Sequence, residues 1–422
     1  MTKTVRKPKR RAKAVSKKPS KVKLSQDGQL GHRSGKGDLP YPRGDFDKLP
    51  AAFQNAPPRA DGTAEGINGS QLNEHMRCPW RWELKNRRLI DRRSIAPPMD
   101  LGSAVHAGVA GAIHTFALIE NPAKATKVER AGVLQALVVG VREWRNQWMA
   151  EHCADGRLAD ETETQLSEIQ VKAVQIAERA LEEIDLPRYE VVWYKGEPLV
   201  ERKITIPFLP SIPFYGTPDV VWKDRQSPKN SIMPWDFKVR EKMQAVEHEE
   251  VDLQLPAYQY MLGKLDIPTI GAGKFQIRAE LPRIPERNKN GAMSRQRIAT
   301  TWDMYKAELI RYGLKPADYE EEMKQKLDVE FFRLDQLYRN QFEIQSFWDN
   351  IITPLGKQLV EAKEFIRHMH FINCTGCWAR ELCLSELRGE DTGFLLETNY
   401  IDLRDPKAKL VLRPEDVTIE VE

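Results

Sequence analysis

The chain has 422 residues, 41% of them hydrophobic and 30% charged, with a net charge of +4. That length supports one large or two ordinary domains with a full core. No long apolar run or secretory core occurs, which excludes a membrane span and places the expected site of action in the cytoplasm.

The charge is unevenly spread. Residues 1–24 hold eleven Lys or Arg and no acid, so the overall +4 less those eleven leaves −7 for residues 25–422. A basic, apolar-poor tail cannot bury enough surface to order itself, and residues 1–65 read as a disordered tail and linker. Such a tail can hold a polyanion by counterion release. It can equally serve as a solubilising or sorting tail, so its charge does not by itself establish nucleic-acid binding.

Order is expected from Ile67, with Ser70 as the N-cap of a helix through Leu72, Met76 and Trp80. Gly102 to Ile119 is a second helix, rich in Ala and Val. Stretches at about 127–152 and 160–184 show the three- and four-residue spacing of amphipathic helices. The period then shortens, and Tyr189–Tyr194, Pro198–Pro207, Ile212–Lys223 and Ile232–Val239 read as strands. Asp224, Ser227, Pro228 and Asn230 form the turn between the last two. A helical region spans about 241–265. Lys274–Leu281 and Arg297–Trp302 read as a hairpin with a long polar loop, and 303–325 and 328–370 as helical. The fold class is therefore α/β, a mixed sheet flanked by helices, in a domain over 66–390 with a C-terminal extension over 391–422.

Chemistry concentrates in Gly216-Thr-Pro-Asp219 and Pro234-Trp-Asp236-Phe-Lys238. Alternate residues of a strand share a face, so Asp236 and Lys238 point one way while Trp235, Phe237 and Val239 pack the other. An antiparallel neighbour would bring Asp219 to the same place. Two carboxylates can hold Mg²⁺ or Mn²⁺ through oxygen, and a lysine can orient water or stabilise a pentavalent phosphate. Pro234 removes a ladder donor, so this strand is expected to begin there. Gln254 and Tyr258, four apart, share one helical face. His106 ends Gly102-Ser-Ala-Val-His106 on a small-residue helix that allows close backbone approach.

The cysteines form a second pattern. Cys78 precedes Pro79, and Cys374, Cys377 and Cys383 follow almost three hundred residues later. An odd total of five favours metal or redox chemistry over structural disulfides in a reducing compartment. Four thiolates converging on one centre would clip the two ends of the domain together. Ligand type alone leaves a [4Fe-4S] cluster and Zn²⁺ both open. Cys153 falls outside the pattern and reads as an idle or buried thiol. Trp80, Trp82 and Trp378 could stack on bases, but core packing is the commoner fate of Trp.

In this order the motifs resemble the PD-(D/E)XK nuclease superfamily, specifically its RecB-like branch, with the RecB and AddB nuclease domains and the exonucleases of CRISPR adaptation. The resemblance covers about residues 67–390. It implies a restriction-endonuclease-like core in which His106, Asp219 and Asp236 are metal ligands. Lys238 then completes Asp-x-Lys, and Gln254 and Tyr258 form the Gln-x-x-x-Tyr motif on the DNA side. Glu201, on the strand before Asp219, fits an acidic position of several relatives. Cys78, Cys374, Cys377 and Cys383 match the branch's iron–sulfur variant.

The expected activity is therefore metal-dependent DNA hydrolysis at ends or single strands, in recombination, repair or replication. A free-standing nuclease with a basic tail would suit a phage or mobile element. No Gly-x-x-x-x-Gly-Lys-Ser/Thr motif is present, so unwinding would come from a separate helicase or recombination partner. The competing readings are a catalytically inactive nuclease-fold scaffold and a zinc-clipped helical interaction protein in which Asp-x-Lys is accidental.

Overall fold

Alternation of side chains along a few short strands sets the architecture. The computed structural model describes residues 66–420 except 93–94, 121, 153–159, 211, 228–230, 328, 363 and 403–418. The basic tail (1–65) and Cys153 lie outside the described residues. Five strands form a mixed sheet in the order β10-β9-β8-β7-β2. These are β2 (Tyr189–Val191), β7 (Val220–Asp224), β8 (Ile232–Arg240), β9 (Gly271–Arg278) and β10 (Phe332–Tyr338). β8 and β9 run parallel, whereas β7 and β8, β2 and β7, and β9 and β10 are antiparallel. Short strands β3 (Trp193–Tyr194) and β4 (Glu197–Pro198) pair with each other. β5 (Ile204–Leu209) and β6 (Ile212–Gly216) form a second sheet with β12 (Ile419–Glu420), and β1 (Ile90–Arg92) pairs with β11 (Tyr400–Asp402).

The five-stranded sheet is buried on both faces. On one, Trp222, Met233, Trp235, Phe237, Phe275 and Ile277 pack against three long helices. These are α2 (Pro97–Ala117), α3 (Lys127–His152) and α4 (Asp160–Glu183). The helices approach closely because a Cβ at Gly140 would lie 2.3 Å from the Ala107 carbonyl oxygen. Only glycine fits there, and the contact fixes α2 one residue from His106. On the other face, Val221, Ala272 and Leu337 pack with helix α1 (Gly69–Arg77), helix α5 (Gln254–Lys264) and the second sheet. Two buried apolar faces are what a sheet with a parallel pair requires.

Several boundaries differ from expectation for local reasons. Asn68, not Ser70, caps α1, its side chain accepting from the Gln71 N–H at 2.8 Å. That helix ends at Cys78, which is extended (φ −159°, ψ 100°) because Pro79 disfavours a helical residue before it. Ile212–Lys223 divides at 217–219, and its halves enter different sheets. Pro234 lies inside β8, opposite Val221, at a point where pairing with β9 has not yet begun. The region 241–265 divides into Val246–Glu250 and α5.

The expected hairpin between Lys274–Leu281 and Arg297–Trp302 does not form. β9 instead lies between β8 and β10, and β10 comes from a region expected to be helical. In β10, Phe332 and Leu334 pack on one side of the sheet and Leu337 on the other. That two-residue alternation overrides a stretch otherwise rich in helix formers. The excursion from 279 to 331 closes its own small core from Met293, Tyr305, Leu309, Tyr319, Met323 and Leu327.

Candidate active site

β8 presents Asp236 and Lys238 on the face opposite Trp235 and Phe237. The β7–β8 register pairs Val220 with Trp235, which carries Asp219 to the level of Asp236. Asp219 is held there because its Oδ2 accepts from the Phe237 backbone N–H. Glu201 does not sit on a strand as expected. It occupies a left-handed bend at φ +48°, and its N–H donates to the Asp219 carbonyl at 3.0 Å. A non-glycine residue in that region costs on the order of 1 kcal/mol and persists only where surroundings enforce it. From α2, His106 Nδ1 lies 3.4 Å from Asp219 Oδ1 and 3.9 Å from Glu201 Oε1. Potential ligand atoms of His106, Glu201 and Asp219 all lie within 4.8 Å of one another.

The charges of this cluster are strongly coupled. Burial works against a charged imidazole at His106, but the Asp219 charge and hydrogen bonds to Asp219 and Glu201 outweigh it and raise His106 to about 10. Burial, followed by the Asp219 charge, pushes Glu201 up to about 7 against the pull of His106. Asp219 and Glu201 thus favour the protonated imidazolium of His106. A divalent ion would replace that proton, since a ligating histidine must be neutral.

Asp236 is held differently. It is 2% exposed, and burial opposes its charge, yet the Lys238 and Lys274 ammonium groups keep its carboxyl well below the usual carboxylate range. Lys238 Nζ spans both oxygens of Asp236, at 2.9 Å from Oδ1 and 2.8 Å from Oδ2, and Lys274 Nζ donates to Oδ2 at 2.8 Å. Lys274 escaped the motif reading. Its register partner on β8 is Asp236, so the two side chains share a face by construction.

Asp219, Asp236 and Lys238 open onto a cavity of about 190 Å³ that is also lined by Ser70, Thr217, Gln254 and Tyr258. Gln254 Nε2 donates to Ser70 Oγ at 3.0 Å, and the Tyr258 hydroxyl donates to the Thr217 carbonyl at 3.1 Å. The Tyr258 ring lies over Gly216, where a Cβ would come within 2.9 Å of it. Glycine there lets the tyrosine settle against the chain just before Asp219.

A family model for the PD-(D/E)XK nuclease superfamily matches residues 67–384. The chain belongs to that superfamily. No curated protein matches the chain. All eleven candidate site residues of the sequence, Glu201 included, fall within the matched span. Membership stands against the reading of the chain as a helical interaction protein of another class. Among the described residues, no helix of this PD-(D/E)XK protein is long and apolar enough to cross a membrane.

The cysteines gather away from the cavity. Cys78, Cys377 and Cys383 join an apolar cluster with Trp80, Ala379, Leu382 and Tyr400. Trp80 and Trp82 are buried, so core packing is their role in the free protein. Cys374 lies beside the same junction, because the side chain of neighbouring Asn373 donates to the Arg77 carbonyl at 2.9 Å. Cys383 is buried and the other three are half-buried. Burial pushes the Cys383 thiol up to about 11, Arg367 opposing the rise and Cys78 adding to it.

Proposed function

We propose that this protein is a metal-dependent DNA nuclease of the RecB-like branch, hydrolysing phosphodiester bonds at ends or in single strands. The observation that carries the reading is the meeting of His106, Glu201 and Asp219 beside a cavity shared with Asp236 and Lys238. An imidazole with carboxylate oxygens is a donor set suited to Mn²⁺ or Mg²⁺. A bound divalent ion would supply Lewis acidity toward the phosphate and lower the pKa of a water. His106, Asp219 and Asp236 are the proposed ligands, with Glu201 as a further acid. Lys238, its side chain 30% exposed, is free to turn from Asp236 toward a phosphate oxygen or the attacking water. Gln254 and Tyr258 line the wall along which the strand would lie.

The four cysteines are assigned to a structural [4Fe-4S] centre. Ligand type admits either centre, and the choice of iron–sulfur rests on the resemblance of the four-cysteine spacing to the family's iron–sulfur variant. A cytoplasmic setting, with unwinding supplied by a separate helicase or recombination protein, completes the reading.

Digestion of end-labelled DNA tests it, using single- and double-stranded, linear and circular substrates with Mg²⁺ or Mn²⁺. Metal-dependent loss of linear or single-stranded DNA is expected, with circular duplex spared. No cleavage of any substrate in either metal would overturn it in favour of the inactive scaffold.

A further inference from the structure

Lys274 is a charged side chain with 0% exposure in the middle of a central strand. Burying an ammonium is costly unless several acceptors surround it. Three carboxylates do so: Asp236 Oδ2 at 2.8 Å, Asp252 Oδ2 at 3.0 Å and Glu249 Oε2 at 3.7 Å. Glu249 is itself held by Arg240 Nη1 at 2.6 Å. Two of these partners connect to different parts of the cleft. Asp236 belongs to Asp-x-Lys. Asp252 uses its other oxygen, Oδ1, to accept the Gln254 backbone N–H at 2.6 Å, at the start of the helix that carries Gln254 and Tyr258.

We infer that Lys274 is a positioning residue that ties the Asp236 carboxylate to the first turn of the Gln254–Tyr258 helix. The inference rests on the nuclease reading. Lys274 approaches Asp236 from inside the protein, whereas Lys238, on the cavity side, is partly exposed. Oδ2 is therefore held from inside by a group that cannot leave, even when Lys238, 2.8 Å from the same oxygen, turns toward the cavity. The Lys274 ammonium sets the distance between this oxygen and the wall formed by Gln254 and Tyr258. A hydrophobic residue of similar length would fill the space but leave three acids, Asp236 and Glu249 of them buried, without their common cation.

The test compares the wild type, Lys274→Met, Asp252→Asn and the double variant, measuring kcat and KM at saturating Mn²⁺ and thermal melting of each. Asn at 252 keeps an oxygen for the Gln254 N–H and removes only the ion pair. Lys274→Met should lower kcat about 10- to 100-fold, as outer groups that orient a metal ligand do. Asp252→Asn should lose about 10-fold, and the double variant should be no slower than Lys274→Met, because both act through one link. A lower melting temperature with unchanged kcat per folded molecule would reduce Lys274 to a structural ion and overturn the inference, as would losses that simply multiply. Should Lys274→Met not fold, Asp252→Asn decides alone: unchanged kcat overturns the link, and about 10-fold loss at an unchanged melting temperature supports it. Inactivity of the wild type would instead overturn the nuclease reading.

Discussion

The cleft and the cysteine junction treat a buried acid in opposite ways. Asp236 is 2% exposed and stays charged, because two ammonium groups outweigh its burial. Cys383 is 9% exposed and stays neutral, because burial prevails over Arg367 and the thiol rises to about 11. Nearby cations make the difference. The cleft carries its own counter-ions and is preorganised by them. Arg367 alone does not offset burial at Cys383, so the proposed four-thiolate centre would need a bound metal to supply the charge. Loss of metal should therefore silence the cleft while leaving it folded, and should loosen the junction itself.

The sharpest way to break this contrast is to remove a charge from the cleft. Asp236→Ala should lower cleavage about 1000-fold or more, by analogy with the loss of preorganised charge at other centres. Circular dichroism and DNA binding should stay near wild type. Wild-type cleavage by a variant free of contaminating nuclease would remove Asp236 from the site.

The reciprocal change is Cys377→Ser or Cys78→Ser. Either should give colourless protein, without the visible absorbance near ~400 nm expected of a thiolate-bound cluster. The melting temperature should fall and activity decline only as the fold loosens. Full iron retention without Cys78 would contradict the ligand set.

Within the cleft the contrast can be refined. Lys238→Met should slow cleavage about 100-fold while Mn²⁺ still binds in calorimetry, because the ammonium acts on phosphate or water. Equal loss of Mn²⁺ binding would make Lys238 a determinant of the metal site. The smallest effect is expected from His106→Ala, with Mn²⁺ affinity falling about 10-fold. Unchanged affinity and stoichiometry in a folded variant would leave His106 a core histidine.

Much of the cleft was legible because its motifs are local. Asp236 and Lys238 are two apart on a strand, and Gln254 and Tyr258 four apart on a helix, so each pair shares a face whatever the rest of the chain does. Lys274 was not legible as a site residue. Its relation to Asp236 depends on β9 lying parallel beside β8, and parallel pairing between distant segments leaves no local signature. The polar Lys274 and Gln276 within Gly271–Arg278 carry a two-residue alternation, which fits a hairpin strand as well as a parallel one. Glu201 was placed on a strand because nothing local announces a non-glycine residue at positive φ. β10 was missed because its seven residues sit between helix-forming stretches, and only the sheet makes them extended.

The most direct test of the central claim is to titrate Mn²⁺ into anaerobically purified wild type and Asp219→Asn, following heat of binding and cleavage of end-labelled linear DNA in the same samples. The account predicts that wild-type cleavage rises in step with Mn²⁺ occupancy, and that Asp219→Asn loses both while keeping its fold and its brown colour. Cleavage independent of Mn²⁺ and Mg²⁺, or equal binding and cleavage by the two proteins, would contradict it.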